Sequence, residues 1–484
     1  MNNSIIKGKI MTKTSLSMVA LLLLSTATVN ASEPTKQELL KRIEVLESQS
    51  KSTTELPFAT KAEAGSKYGK LIIGGDYRFS VDNLQYDLAD GSTAENDGLL
   101  TNRLWLNFSY KPNRHIDFNT KLAFNKVFGQ PVVYAPGGKA PFDGFDWIAS
   151  TTNTDDELRI KNAYINYRDD SLFGINIPWD FGVGRRSTSY NKLNSLRDDM
   201  APNSPLGHIV SAEFDGGHLG FNLADATGVD GMSIKLAAGR GASYIMPSLS
   251  ATPDADWGSD INMLDINFVP YSANGIHTEF QAMQISNLID IQNAGYDQNG
   301  AFNPANFNPA FDNVGDMFLG SFMTSYKMDD ATLFASVAMS KSDPKSGKNM
   351  FGSTDSETGT SYWLGAQWKC QLTDNAKVGL EFNHGSKYWR SFTYAEDTVA
   401  GSKLATRGDA YEAYFTKQIA DGLSFQARYT FMDYDYTGSN GFFGSQTGMP
   451  MRVDDVKNYM AQADIAKSVV DEAQDLRFYL RYNF

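Results

Sequence analysis

The last nine residues of the chain, LRFYLRYNF, alternate between apolar and polar side chains up to the final position. Five apolar or aromatic residues share one face of the strand that this pattern predicts: Leu476, Phe478, Leu480, Tyr482 and Phe484. Arg477 and Arg481 fall on the opposite face, because successive strand residues point to opposite sides. A strand that alternates to a terminal aromatic residue is typical of the closing strand of an outer-membrane barrel.

Segments with the same two-residue period recur from Leu71 onward, each about ten residues long, and about sixteen can be counted. Short turns, such as the one near Pro112, alternate with long connections at 128–157, 187–206, 289–314, 342–359, 388–407 and 434–474. Bacterial barrels keep short turns on the periplasmic side and long loops outside. The pattern predicts an all-β fold: one transmembrane antiparallel β-barrel of about 16 strands over residues 71–484, with both termini in the periplasm.

Three stretches interrupt this regular pattern. The strand phase is ambiguous at 158–167 and at 219–232, where apolar residues do not keep one parity. The stretch from Asp454 to Asp471 favours a helix, which we expect to lie in the last outer loop.

The N-terminal segment 1–31 has the form of a cleaved signal peptide. Three lysines precede the apolar segment Met18–Ala27, and the small-x-small site Val29-Asn30-Ala31 follows it. We therefore expect export through a cleaved signal peptide and location in the outer membrane of a Gram-negative cell.

Residues 32–70 are predicted to form a short periplasmic coiled-coil helix followed by a polar linker. Leu39, Ile43 and Leu46 recur at heptad spacing among charged residues of both signs. About two heptads are too few to associate alone, so the segment is either a trimerising stub or a solvated helix.

Composition excludes several other classes of protein. The chain has 484 residues, of which 42% are hydrophobic, and no apolar run reaches the ~20 residues that a membrane helix needs. Its single cysteine, Cys370, excludes a disulfide framework and covalent haem, and its five scattered histidines form no metal motif. A net charge of −13 argues against nucleic acid as a partner. We therefore expect neither a cofactor nor a metal.

Several segments of the first half resemble a family of porin-like outer-membrane proteins of unassigned function, found in sulfur- and metal-respiring bacteria. They are NDGLLTNRLWLNFSY (Asn96 to Tyr110), PFDGFDW (Pro141 to Trp147), IPWDFGVGRR (Ile177 to Arg186), SPLGHIV with AEFDG (Ser204 to Gly216), and ATGVDGM through AAGRG (Ala226 to Gly241). The resemblance implies a porin whose solute is unassigned, and it supplies no catalytic residue. The end of the chain also resembles the signal that the barrel assembly machinery recognises, so Phe484 and Tyr482 are our candidate insertion signal.

The function that we expect is passive diffusion of small hydrophilic solutes or ions through an outer-membrane porin, without enzymatic activity. The alternative is a barrel that sheathes a multihaem cytochrome partner in an electron-transfer complex. An outer-membrane hydrolase fits less well, because no serine elbow accompanies His208, His277 or His384. The expected surroundings are outer-membrane lipid and lipopolysaccharide, and by resemblance to general porins we expect a homotrimer.

Basic residues outnumber acidic ones on the predicted lumen-facing side, although the chain as a whole is acidic. The pore-lining candidates are Arg78, Arg103, Lys121, Arg186, Arg428, Arg477 and Arg481. The alternative is that these charges only keep the lumen hydrated and paired.

The connection after the fifth strand, Ser187 to Pro205, is the loop that folds inward in general porins with sixteen strands. We therefore assign it the constriction, with Lys192, Arg197, Asp198 and Asp199 as candidates. A basic wall facing this loop favours small anions if the arginines dominate, and cations if Asp198 and Asp199 dominate. The number of wall charges favours anions.

Overall fold

The computed structural model describes residues 64–66, 69–127, 158–188, 192–198, 207–243, 259–296, 302–393, 399–445, 447–461 and 464–484. The predicted signal peptide and the predicted coiled-coil seam at Leu39, Ile43 and Leu46 lie outside these residues. Within the predicted linker, the short strand Ala64–Ser66 pairs with the start of the first barrel strand.

Sixteen antiparallel strands form one closed sheet. They are β1 Gly69–Leu88, β2 Thr93–Lys111, β3 Ile116–Val127, β4 Arg159–Asp169, β5 Trp179–Ser187, β6 Glu213–Asn222, β7 Ser233–Ala242, β8 Ile261–Ala273, β9 Ile276–Tyr296, β10 Phe302–Lys327, β11 Ala331–Pro344, β12 Thr358–Lys369, β13 Ala376–Gly385, β14 Gly408–Ala420, β15 Leu423–Tyr434 and β16 Val470–Asn483. Each strand pairs with the next, and β16 pairs with β1, where Arg481 lies opposite Arg78. The prediction of a closed barrel of about sixteen strands is confirmed.

The burial pattern is inverted relative to that of a soluble sheet protein. On β16 the apolar Leu480 is 48% exposed, whereas Arg477 is fully buried. Leu264 on β8 and Val337 on β11 are likewise more than half exposed on the outer face. Apolar side chains therefore point out of the barrel and polar side chains point into it.

The connections differ between the two ends of the barrel. At one end, two-residue turns such as Asn274-Gly275 and Asp421-Gly422 join the strands. At the other end, the connection from β15 to β16 holds the helix Val453–Tyr459 and the 3-10 helix Asp464–Lys467. The expected helix in the last loop is thus present in part, but β16 begins at Val470 and takes over its end.

The expectation of a long loop over 289–314 is wrong. Strands β9 and β10 continue through it, with Ile289 paired to Asn313 and Ile291 paired to Phe311. The Asn-rich and Pro-rich composition indicated a loop, but the ladder between the two strands satisfies the backbone groups here.

A β-bulge explains the ambiguous phase of β4. Lys121 and Leu122 of β3 face Asn162 and Ile160, which leaves Lys161 as an extra residue. Ile160 and Ile165 can therefore both point outward, although their parities differ. In the second ambiguous stretch, β6 ends at Asn222 and a turn with the short helix Ala224–Thr227 follows.

Among the described residues, no helix is long and apolar enough to cross a bilayer.

Loop segments fill part of the barrel interior with an apolar core, which we call the outer plug. It joins inward-facing residues at the long-loop end of β8 to β11 with three loop segments, and its loop members are Ile209, Val210, Met350, Phe351, Trp389, Phe392, Phe442 and Phe443. Two of these segments pair as short parallel strands, with Val210 opposite Phe392. The apolar run AMQISNLIDI in β9, which breaks the alternation, was the sequence signal for this core.

Candidate functional site

The connection after β5 enters the barrel and forms the helix α1, Lys192–Arg197. Its carbonyl groups accept hydrogen bonds from inward-facing side chains on the opposite wall. Gln367 of β12 donates to Leu196 O at 2.7 Å, and Gln426 of β15 donates to Arg197 O at 3.0 Å. On its apolar side Leu193 packs with Trp363 and neighbouring residues. The helix is therefore fixed against the far wall of the barrel.

Glu412 of β14 anchors two inward loops at once. Arg197 of α1 lies 3.3 Å from its carboxylate, and Lys403 of the connection between β13 and β14 lies 2.6 Å from it. Thr430 adds a hydrogen bond of 3.0 Å. Because removing one partner of a buried ion pair is costly, this cluster holds both loops in place.

A second buried cluster spans the seam between the first and last strands. Arg481 lies 2.6 Å from Asp76, and Arg103 lies 3.0 Å from the other oxygen of the same carboxylate. Arg477 forms an ion pair with Asp82. All of these charged side chains are buried.

Five of the predicted pore-lining residues therefore belong to packed clusters. Arg78, Arg103, Arg428, Arg477 and Arg481 face the barrel interior, as their parity predicts, but each is at most 3% exposed. The expectation that they form a basic ladder facing open solvent is corrected, because carboxylates on neighbouring strands and the backbone of α1 cover them. Whether they influence permeation stays a prediction.

The residues assigned to the constriction lie on both sides of α1. Arg197 and Asp198 are buried against the packed wall, and Arg481 donates to Asp198 O at 2.6 Å. Lys192 instead lines a cavity on the other side of the helix. Burial lowers the pKa of Lys192 to about 8, and the nearby Glu279 opposes this shift. Asp199 lies outside the described residues.

The cavity has a volume of about 450 Å³ and lies between α1 and the wall formed by β2 to β9. Two of the remaining predicted pore-lining residues, Lys121 and Arg186, face it. Its basic lining continues with Lys235, and its acidic lining consists of Asp265 and Glu279. Phe214, Met263 and Met283, which also belong to the outer plug, border it.

Lys235 and His218 are the cavity residues that the sequence analysis missed. Lys235 follows the ambiguous stretch and lies between Ile234 and Leu236, a local alternation that already placed it inward. His218 lies opposite Gly182 on β5 and forms an ion pair with Asp180. Neither residue is part of a motif, so only the register brings them together.

His208 is the histidine closest to a serine pair, and its surroundings are structural. Its two ring nitrogens lie 2.8 Å from Ser336 Oγ and 3.0 Å from Ser361 Oγ, and the rings of Trp363 and Trp389 pack against it. Burial lowers the pKa of His208 to about 3, so the ring is neutral at physiological pH. A serine nucleophile needs an accessible base held by an acidic partner, and this fully buried imidazole has two hydroxyl partners instead.

Comparison with known proteins gives one family match. A family model described as "Protein of unknown function (DUF3373)" matches residues 93–484. No curated protein matches the sequence.

Solved structures with a similar fold are outer-membrane proteins. An anion-selective porin from Comamonas acidovorans is 11% identical, with 86% of this chain and 100% of that chain covered and a TM-score of 0.47. Pseudomonas putida OprB is 11% identical, with 86% and 94% covered and a TM-score of 0.46. Outer-membrane expressed OmpT of Vibrio cholerae is 10% identical, with 87% and 100% covered and a TM-score of 0.44. The fold assignment made above rests on the closed sheet itself.

Proposed function

Because the chain belongs to the DUF3373 family, whose function is unknown, we propose a function from the barrel itself. We propose that the protein is an outer-membrane porin that conducts small hydrophilic solutes with a preference for anions, and that it is not an enzyme. The inverted barrel, with apolar side chains outside and polar side chains inside, is the observation that carries this proposal.

The outer face supports insertion in a membrane. Exposed apolar side chains cover it, and aromatic residues cluster near both ends, as expected for rings at the two membrane interfaces. Beside the short-turn end, the rings of Tyr167 and Phe181 lie 5.6 Å apart. Beside the long-loop end, the rings of Phe382 and Tyr411 lie 5.0 Å apart.

The interior supports a narrow path rather than a wide one. The helix α1 divides the lumen into a packed half, which contains the Arg481 and Glu412 clusters, and an open half, which contains the cavity. Four cationic side chains and two acidic ones line the cavity: Lys121, Arg186, Lys192 and Lys235 against Asp265 and Glu279. Fixed charges act strongly in a partly desolvated pore, so this excess of positive charge favours anions.

A sheath for a multihaem cytochrome is the alternative function, and the filled interior argues against it. Such a partner would occupy the lumen, but α1 and the outer plug already take up much of that space. Purification without a bound cytochrome agrees with the porin, whereas stoichiometric co-purification of one supports the sheath.

Export through a cleaved signal peptide, insertion by the barrel assembly machinery and assembly as a homotrimer complete the proposal. Chemical cross-linking in outer membranes tests the last of these. A ladder that ends at three copies supports the trimer, and a monomer alone contradicts it.

Ion conductance in planar lipid bilayers tests the porin proposal directly. We expect stepwise insertion of channels and a reversal potential in a salt gradient whose sign indicates anion preference. Protein that inserts but passes no ions would make the porin proposal wrong and favour a plugged or purely structural barrel.

A further inference from the structure

The cationic residues of the cavity differ from those of the packed half. On the packed side Lys403 and Arg481 each have a carboxylate oxygen at 2.6 Å. Within the described residues, no carboxylate lies within ion-pair distance of the four cavity cations, Lys121, Arg186, Lys192 and Lys235. Lys121 is nevertheless only 6% exposed. A buried cation without an acidic partner is costly, so this charge is poised for an anion from outside the chain.

The sheet register places two of these cations in one row. Lys121 of β3 pairs with Asn162 of β4, and Asn162 Oδ1 accepts a hydrogen bond of 2.8 Å from the N–H of Ser187, next to Arg186 on β5. Adjacent strands lie ~4.8 Å apart, so the Cα atoms of Lys121 and Arg186 are separated by about 10 Å. Two anionic groups of one small molecule, a few bonds apart, can reach both side chains at once.

The guanidinium of Arg186 is held ready for such a contact. It stacks at 4.0 Å over the Tyr164 ring and donates a hydrogen bond to Asn166 Oδ1. Gly182 leaves the necessary space, because a Cβ there would overlap the guanidinium. A stacked arginine keeps its planar orientation and loses little freedom when it binds a carboxylate.

The acidic lining shows which wall an anion would avoid. Gln281 donates to Asp265 at 2.8 Å, and His277 Nε2 lies 2.9 Å from Glu279, so both carboxylates are engaged on β8 and β9. An anionic ligand would therefore lie toward β3 to β5. A cavity of about 450 Å³ is within the size range of sites for small organic molecules.

We propose that this cavity is a binding site for a small organic dianion of the dicarboxylate class, whose two carboxylates bridge Lys121 and Arg186. The inference deepens the proposed function, on which it rests, by naming the class of solute.

Isothermal titration calorimetry of the folded, detergent-solubilised protein tests the site without requiring conduction. Succinate and butyrate, at equal ionic strength, serve as matched probes with two carboxylates and one. We expect succinate to bind at least about tenfold more tightly, since only the dianion contacts both cations. Equal affinity for the two probes, or no binding of succinate, would overturn the proposal.

Substitutions then assign the binding to these residues. Lys121→Gln should weaken succinate binding about tenfold and leave butyrate binding nearly unchanged, because one charge-assisted contact is lost. Lys345→Gln, at an exposed outer turn, is the matched control and should change neither. Equal effects of the two variants would contradict the site.

A second variant keeps the test valid if Lys121→Gln does not fold. Asp265→Asn removes a negative charge without shortening the side chain, and it should strengthen succinate binding; an unchanged affinity would contradict the charge argument. Conduction without succinate binding would remove the site and leave the porin, whereas binding without conduction would do the reverse.

Discussion

Arg481 on the last strand holds Asp76 on the first, with Nε at 2.9 Å and Nη2 at 2.6 Å from the same carboxylate oxygen. The remaining Nη1 donates to the backbone carbonyl of Asp198 at 2.6 Å. One side chain therefore ties the closing seam of the barrel to the end of the inward helix.

Replacing Arg481 should destabilise the barrel more than it changes permeation. Arg481→Gln leaves Asp76 with Arg103 as its remaining cation and should lower the free energy of unfolding by about 3 kcal/mol, the lower end of the range for broken buried pairs. Urea unfolding in lipid vesicles, followed by tryptophan fluorescence, measures this. Arg452→Gln removes a pair whose partners are both at least 60% exposed, and it is the matched control with an effect near zero. An equal loss in both variants would contradict the role of the seam.

Ion selectivity should depend on the cavity cations rather than on the buried arginines. Lys192→Gln should shift the reversal potential in a salt gradient toward cations, because it removes a charge that lines the cavity. Arg477→Gln should shift it much less, since Arg477 is fully buried and paired with Asp82. A larger shift from Arg477→Gln would restore the arginine seam as the selectivity element.

Anion preference should fall as the pH rises past about 8. Burial lowers the pKa of Lys192 to about 8 against the opposing effect of Glu279, so this amine loses its positive charge between about pH 7 and pH 9. Reversal potentials measured across that range should move toward cations. The Lys192→Gln variant has no such titration, and an identical pH response in it would show that another group is responsible.

Deleting Phe484 should lower the amount of folded protein in the outer membrane. Its backbone exchanges two hydrogen bonds with Gly75, at 2.8 and 3.0 Å, and its ring stacks on Tyr482 at 5.9 Å. Membrane fractionation with immunodetection measures the level. Phe484→Trp, which retains an aromatic ring, should be tolerated, and Leu372→Ser in an exposed turn should have no effect. Normal levels of the truncated protein would contradict the insertion signal.

Acid should loosen the segment around His208. The ring has a pKa near 3 when buried and 6.5 when released, so the released state takes up a proton first as the pH falls below 6.5. The packed state should therefore lose about 2 kcal/mol between pH 7.5 and pH 5. Hydrogen exchange of the amides at 207–212 should show the loss. His208→Asn stays neutral and should lack this acid response; the same response in it would exclude His208 as the cause.

The strands were predictable because each carries its own signal. The alternation of Leu476, Phe478 and Leu480 with Arg477 and Arg481 is local, and it correctly gave the inward and outward faces of β16. Parity also placed Lys121 and Arg186 in the lumen. The predicted entry of the loop after β5 agrees with the position of α1.

The pairing of charges inside the barrel was not predictable in this way. Arg197 and Glu412 are 215 positions apart in sequence, and no local pattern connects them. Parity shows that a side chain points inward but not whether a neighbour covers it, so buried and cavity-facing arginines looked alike. The bulge at Lys161 changes parity within one strand and hid the phase of β4.

The division of the lumen by α1 has a consequence for how this family can diversify. Charges that stabilise the barrel, such as Arg481 and Glu412, lie on one side of the helix, and charges that face the solute path, such as Lys121 and Lys235, lie on the other. A substitution on the path therefore removes no ion pair that holds the fold. We expect lineages to exchange one nutrient for another by one or two replacements on the path, without compensating changes on the packed side.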